Sequence, residues 1–345
     1  MPAKRRTLIA LAVSLAFLAL VFWSVSLGDF LEELRKANYL WLIPATVVYF
    51  LAFTLRAWRW QSLLAPLGGV TLSRSYWVAT IGYAANNVLP LRLGEFARAY
   101  LLRRNPGLDM TAGLATVAVE RILDGLTLLL WLGIGLLYYY YAAEWSVPTQ
   151  LAVAAVVSAV IFLSAGVCVM LSVIFPAAAM RAARIATRPL PSRYAVPALG
   201  IVESMLCGFA ALRQTRKLPY YFLVSNAVWA GEALVYFLVA RALDVETHLI
   251  VLCVAVAASN LATAVPSTSG GIGPFEFFAK MTLVVAGIAE EAAAAYAVVI
   301  HATLWVPVTI AGAVLLFLEG APLKEVVGAS GLMTGRETQR AEAVE

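Results

Sequence analysis

Ser267-Thr268-Ser269-Gly270-Gly271-Ile272-Gly273-Pro274-Phe275-Glu276 separates two apolar runs, 249–265 and 275–288, and constrains this chain more than any other stretch. A membrane-spanning helix does not continue through so much glycine, proline and hydroxyl chemistry, so the helix breaks here. Irregular backbone at membrane depth survives only where protein buries it or where it lines a cavity. The break therefore predicts a cavity. Asn86-Asn87-Val88-Leu89-Pro90-Leu91-Arg92-Leu93-Gly94-Glu95-Phe96 is a weaker echo of it in the first half.

Composition supplies the membrane. The chain is 62% hydrophobic and 13% charged, against about 25% charged residues in soluble domains. This predicts an all-α polytopic membrane protein and argues against a sizeable soluble domain or a nucleic-acid partner. The expected layout is one transmembrane domain over 1–320 and a disordered tail over 321–345. Cys168, Cys207 and Cys253 lie far apart in apolar surroundings, without a CxxC or a nearby His, so no metal site, disulfide or cofactor is expected.

About six spans are expected: 8–27, 40–64, 112–141, 149–175, 219–243 and 292–318. The first apolar run has a full span's length of ~20 residues and no small-x-small cleavage site, so it reads as retained rather than as a signal peptide. Lys4, Arg5 and Arg6 set the N-terminus in the cytoplasm, and the alternation of spans brings the C-terminus there too, in the plasma membrane. Residues 75–89 give only about 22 Å of helix, short of the hydrocarbon core. Their return arm carries Arg92, Glu95, Arg98, Arg103 and Arg104, which predicts a re-entrant hairpin from the cytoplasmic side. Between the halves (8–175 and 219–320), residues 176–218 hold Arg181, Arg184, Arg188, Arg193, Arg213, Arg216 and Lys217 against Glu203. That segment reads as one or two amphipathic helices on the anionic leaflet.

Counting spans sends the second hairpin in from the opposite side. The two re-entrant broken-helix hairpins then belong to an inverted repeat, with Asn87, Pro90, Gly94 and Glu95 answered by Asn260, Pro266, Gly273 and Glu276. Matched broken helices in inverted halves point to a transport site at the midplane.

Several residues are candidates to line it. Gly273 can cap a restarting helix, with Pro274 first and Glu276 third; Gly94 and Glu95 stand in the same relation. Helix N-termini of this kind favour anions, and Asn87, Ser269 and Gly271 lie at the breaks. Arg56, Arg59, Arg92 and Arg98 can offer charge to a phosphate, and Lys280 can pair with Glu276 at i, i+4. The bland alternative has Arg56 and Arg59 snorkelling to lipid beside Trp58 and Trp60. Glu120, Arg121 and Asp124 lie deep in a span, where each charge costs about 2.5–3.5 kcal/mol, so they must face protein or water and pair. An Arg121–Asp124 pair that merely holds helices together is the structural alternative.

Four blocks resemble the membrane region of lysylphosphatidylglycerol synthases and the related stand-alone, YbhN-like proteins. They are Arg56-Ala57-Trp58-Arg59-Trp60, Asn87 to Pro90 with Gly94 to Tyr100, Glu120-Arg121-Ile122-Leu123-Asp124, and Pro266 through Glu276. The likeness spans about 8–320 and departs at Leu91-Arg92, where a small residue is expected. It implies a flippase-like protein, not an enzyme, moving a lipid with a phosphate headgroup (phospholipid, aminoacyl-phospholipid or polyprenyl-phosphate sugar). It also implies a separate lipid-modifying synthase or glycosyltransferase as a partner, because no such soluble domain is present here.

Other readings stay open. Ser269 with His301 can form a hydrolase dyad. Glu95, Glu276 or Asp124 can act as base in a membrane-embedded transferase acting on a lipid phosphate. The hairpins can also be folding devices of a non-catalytic scaffold.

Overall fold

The computed structural model describes residues 3–89, 93–103, 108–141, 148–263 and 269–320. The described residues form helices and the connections between them, with no strand among them. The helices are α1 (Ala3–Phe22), α2 (Leu27–Lys36), α3 (Leu42–Leu64), α4 (Leu72–Val88), α5 (Leu93–Leu102), α6 (Met110–Tyr141) and α7 (Thr149–Ile174). After them come α8 (Pro176–Thr187), α9 (Ser192–Gly208), α10 (Leu218–Ala242), α11 (Leu249–Ala262), α12 (Pro274–Val285) and α13 (Glu290–Leu318). Pro90, Leu91, Arg92, Arg104, Pro266 and the tail 321–345 fall outside the described residues.

Five helices, α3, α6, α7, α10 and α13, are long and apolar enough to cross a bilayer. Residues 10–22 of α1 pass the same test only together with α2, across an 83° bend. The chain is thus an all-α polytopic membrane protein. The short charged segment after the first apolar run is a helix, α2. Ser26 caps it by accepting from the Asp29 amide, and Phe30 meets Phe22 edge to face at 5.4 Å.

Between these long helices lie two pairs of short ones. α4 and α5 fold back on each other, as do α11 and α12. At about 1.5 Å per residue none of the four reaches the ~30 Å of a hydrocarbon core. The first turnback is a backbone-to-backbone contact: a Cβ on Gly94 would stand 1.9 Å from the Gly82 carbonyl. The Asn86 side chain meanwhile accepts from the Gly94 amide at 2.8 Å. Only glycine fits there.

The pairs interlock with the far half of the chain. α4 of the first pair packs on α13, where Gly312 lets the Thr80 carbonyl and the Ala84 methyl approach. The α11–α12 pair leans on α6, where Gly135 leaves room for Val254. α3 packs along α10. The packing of α4 on α13 thus corresponds to that of α11 on α6.

α8 and α9 lie between the halves, with Arg181, Arg184, Arg188 and Arg193 exposed. Ile185, Leu190, Tyr194 and Val196 are exposed beside them, as expected of helices resting on a membrane surface. α7 is little buried, as suits a helix with a lipid-facing side, and its other side packs on α6 through Phe162 at Gly125.

Candidate functional site

The two short-helix pairs meet at a cavity of about 440 Å³ between α3, α6, α10 and α13. Of the sequence candidates, Arg56, Asn87, Glu95, Arg121, Asp124, Ser269 and Gly271 line it. Tyr83, Trp229, Glu232, Asn260, His301 and Trp305 complete its polar wall. Sequence reasoning assigned none of these six to a lipid site. Tyr83 had the clearest signal, standing one helical turn before Asn87 and so on the same face of α4.

Helix α3 supplies two arginines for different purposes. Arg56 donates from Nη1 to the Tyr83 hydroxyl at 2.6 Å and from Nη2 to Glu232 at 3.1 Å. Its guanidinium lies over the rings of Tyr83 and Trp229, at 5.3 and 5.0 Å. Arg59 is fully buried behind the wall; it donates to Asp124 at 2.7 Å and also to the Ser225 hydroxyl. Neither arginine snorkels to lipid. Nor is Trp60 interfacial: it is fully buried and donates to Thr116 at 3.0 Å, while Trp58 is exposed. Burying two arginines without carboxylate partners would cost several kcal/mol each, and α6 and α10 supply those partners.

Asp124 is the hub. Its Oδ1 accepts from Arg59 and, at 3.2 Å, from Trp229 Nε1; its Oδ2 lies 3.3 Å from Arg121 Nη2. The Arg121–Asp124 pair therefore exists, but as one edge of a network that faces the cavity. Glu120 and Arg98 form a second pair behind it, fork to fork at 2.9 and 3.1 Å, with Arg98 stacked 3.9 Å over the Trp60 ring. Arg121 bridges the two, donating to Glu120 at 2.5 Å and to the Tyr83 hydroxyl at 2.7 Å. Glu95 lines the cavity together with Arg121 and Asp124. Gly94 is capped by Asn86 rather than by Glu95.

The second break is built around Glu276. Its Oε2 accepts from the Gly273 amide at 2.7 Å, with Pro274 at the first helical position. This leaves Oε1 for His301, 2.6 Å from Nδ1, while His301 Nε2 faces the Gly270 carbonyl at 3.1 Å. Phe275 stacks on the imidazole with centroids 4.3 Å apart. Both ring nitrogens are engaged, so His301 presents no free lone pair to Ser269 and the hydrolase dyad is not assembled. Gly270, at φ 74°, holds the tip against the first break: its built Cβ would lie 2.5 Å from Trp305 Nε1 and 3.5 Å from the Asn87 carbonyl. Asn87 anchors that contact by donating to the Trp305 carbonyl at 3.2 Å and to Thr309 at 2.9 Å.

Arg59, Arg98, Glu120 and Glu276 stand behind the lining, and Lys280 and Gly273 sit further from it. Lys280 does not pair with Glu276. It donates to the Val21 carbonyl at 2.7 Å, satisfying the C-terminal end of α1, and ion-pairs with Glu290. Those acceptors compete successfully because α1 packs along α12. Gly273 (φ 100°) sits against Ser14 and Phe17 of α1 rather than in the wall. Ser14 donates to the neighbouring Ile272 carbonyl at 2.8 Å, so α1 braces the second tip. Arg92 lies outside the described residues. Among the described residues, no group of three or more His, Cys, Asp and Glu side chains is arranged to hold a metal ion.

The comparisons with known proteins agree on a family. The glycosyltransferase AglD of Haloferax volcanii is 25% identical over 99% of this chain, which spans 59% of that protein's length. A UPF0104 membrane protein of Methanothermobacter thermautotrophicus is 23% identical over 86% of this chain and 90% of its own. The UPF0104 membrane protein PH1989 of Pyrococcus horikoshii is 23% identical over 91% of this chain and 97% of its own. The profile of the lysylphosphatidylglycerol synthase TM region matches residues 7–312, nearly the whole chain. This chain therefore belongs to the family of the lysylphosphatidylglycerol synthase TM region.

Proposed function

We propose that this protein moves a lipid with a phosphate-bearing headgroup between the leaflets, the headgroup passing through the central cavity. The observation that carries the reading is the meeting of two broken helices at a charged cavity between spans that are themselves apolar. Charge buried at this depth is costly and marks a pathway more often than a scaffold. The matched pairings of α3 with α10, α4 with α13 and α11 with α6 support an inverted repeat, the arrangement expected of a transporter that alternates its access. By the positive-inside rule the basic N-terminus and the α8–α9 connector both lie in the cytoplasm. The C-terminus follows them there.

The wall suggests how a headgroup is handled. In this state each cavity arginine already has a carboxylate, and those carboxylates have second partners: Glu232 is also held by Asn260 at 3.0 Å. A phosphate can take over the guanidinium bonds of Arg56 or Arg121 while the displaced carboxylate stays hydrogen-bonded. Exchange of partners of this sort avoids an unpaired buried charge at any step. The acyl chains remain in the bilayer beside the cavity.

A transferase is the second reading, favoured by the name of the Haloferax volcanii relative. That name belongs to a protein of which this chain spans 59%, so the transport reading is preferred.

Headgroup photocrosslinking tests the proposal. A phospholipid with a headgroup diazirine is expected to label peptides of α4 and α13, and Tyr83→Phe is expected to cut that labelling about tenfold. The Tyr83 hydroxyl is the acceptor shared by Arg56 and Arg121, and a hydrogen bond to a charged group is worth about 1.5–3 kcal/mol. Labelling confined to the surface helices α8 and α9, or unchanged in Tyr83→Phe, would contradict it.

A further inference from the structure

We infer that Glu276 and His301 form a one-proton latch that holds the tip of the second break against the first, so that lipid passage is linked to proton release. The inference rests on the transport reading above and names its coupling. Proton positions follow from the acceptors. The Gly270 carbonyl can only accept, so the 3.1 Å contact to His301 Nε2 needs a proton on that nitrogen. The 2.6 Å approach of Nδ1 to Glu276 Oε1 needs a second proton between them. The pair is then net neutral, as either carboxylate with imidazolium or carboxylic acid with imidazole. Neutrality suits its burial, with Glu276 and His301 6% and 7% exposed.

Loss of one proton breaks one of the two bonds. If it leaves Nε2, the Gly270 carbonyl is released. If it leaves the Nδ1–Oε1 bond, two acceptors face each other at short range and the pair parts. Either way one of the two bonds by which α13 holds the second break is lost. That tip abuts Asn87 and Trp305, where the two breaks meet at the cavity. Gly270 and Gly271, with φ of 74° and 80°, give it backbone freedom to swing.

Most of the charged groups around the pair are already engaged with partners of their own. Of the elements packed on α13, α3 contributes Tyr49 and Arg56 to the shared cavity, α4 contributes Tyr83, and α10 contributes Glu232. Arg56 and Glu232 neutralise each other. The α10 hydroxyl Tyr236 bonds to Ser259 at 2.7 Å. On α12, Lys280 is turned away toward Glu290, and α2 meets α13 near that same outer end, where Ser26 and Glu291 bond.

A nitroxide on Ser269→Cys, with Cys168, Cys207 and Cys253 replaced by Ala, reads the tip directly in the full-length protein in liposomes. The spectrum should pass from immobilised to mobile in a single-proton step as pH rises, and lipid exchange should change with the same midpoint. His301→Gln keeps a donor for Gly270 and has no proton to lose, so it should stay immobilised and remove the pH dependence of exchange. A wild-type spectrum invariant with pH, or a step that persists in His301→Gln, overturns the latch. A step without matching pH dependence of exchange overturns the coupling. Exchange at a constant rate with a static tip leaves the transport reading standing and removes the latch. Absence of exchange with a switching tip does the reverse.

Discussion

Asp124→Ala should destabilise the protein by about 3–5 kcal/mol, the cost of leaving a buried charge without its partner. Arg59 is fully buried and makes both its hydrogen bonds through Nη1, to Asp124 and Ser225; its Nε and Nη2 have no acceptor among the described residues. With Asp124 gone, the Ser225 hydroxyl is the one hydrogen-bond acceptor left to the guanidinium among the described residues. Trp229 also loses its acceptor. The double variant Arg59→Met with Asp124→Leu should recover most of the loss, because replacing both members of a buried pair by apolar groups is close to neutral. Unfolding in mixed micelles with increasing dodecyl sulfate measures this. A single-variant loss under 1 kcal/mol would show that Asp124 does not hold Arg59.

Glu120→Ala should cost a similar amount, about 3–5 kcal/mol by the same reasoning. Glu120 is fully buried and accepts both terminal nitrogens of Arg98, which is 1% exposed. Arg98 keeps its stacking on Trp60, worth about 2 kcal/mol when desolvated, but stacking does not replace a carboxylate. Arg98 also lies against Gly82 at the turnback of α4 and α5. An unpaired Arg98 should therefore loosen the first break before the whole protein unfolds. Faster hydrogen exchange in α5 than in α10 checks this, and uniform acceleration would contradict it.

Much of this fold can be read from the sequence because lipid selects for long apolar runs. α3, α6, α7, α10 and α13 follow directly, and the glycines and prolines mark where α4 and α11 must stop. What could not be read was partnership. Glu232 is a single carboxylate in an apolar helix, and only the packing of α3 on α10 shows that it belongs to Arg56. Tyr83 and Trp229 look like ordinary span aromatics until two guanidiniums are placed over them. Lys280 illustrates the opposite error. Its i, i+4 spacing permits a pair with Glu276, but α1 brings an unsatisfied carbonyl within reach, and tertiary contact outweighs a local pair worth about 0.5 kcal/mol at most. α2 is harder to read because five of its ten residues are charged, although Ser26 gives it a cap and Phe30 a buried face.

Lipid exchange in liposomes tests the central claim most directly. Purified protein is reconstituted with a fluorescent phospholipid or a labelled polyprenyl-phosphate lipid, and access of the headgroup to an external quencher or enzyme is followed. Wild type should bring the inner-leaflet pool to the outside far faster than protein-free liposomes, and Tyr83→Phe should slow that about tenfold while leaving the fold intact. Exchange by wild type at the protein-free rate for both lipid classes would contradict the account.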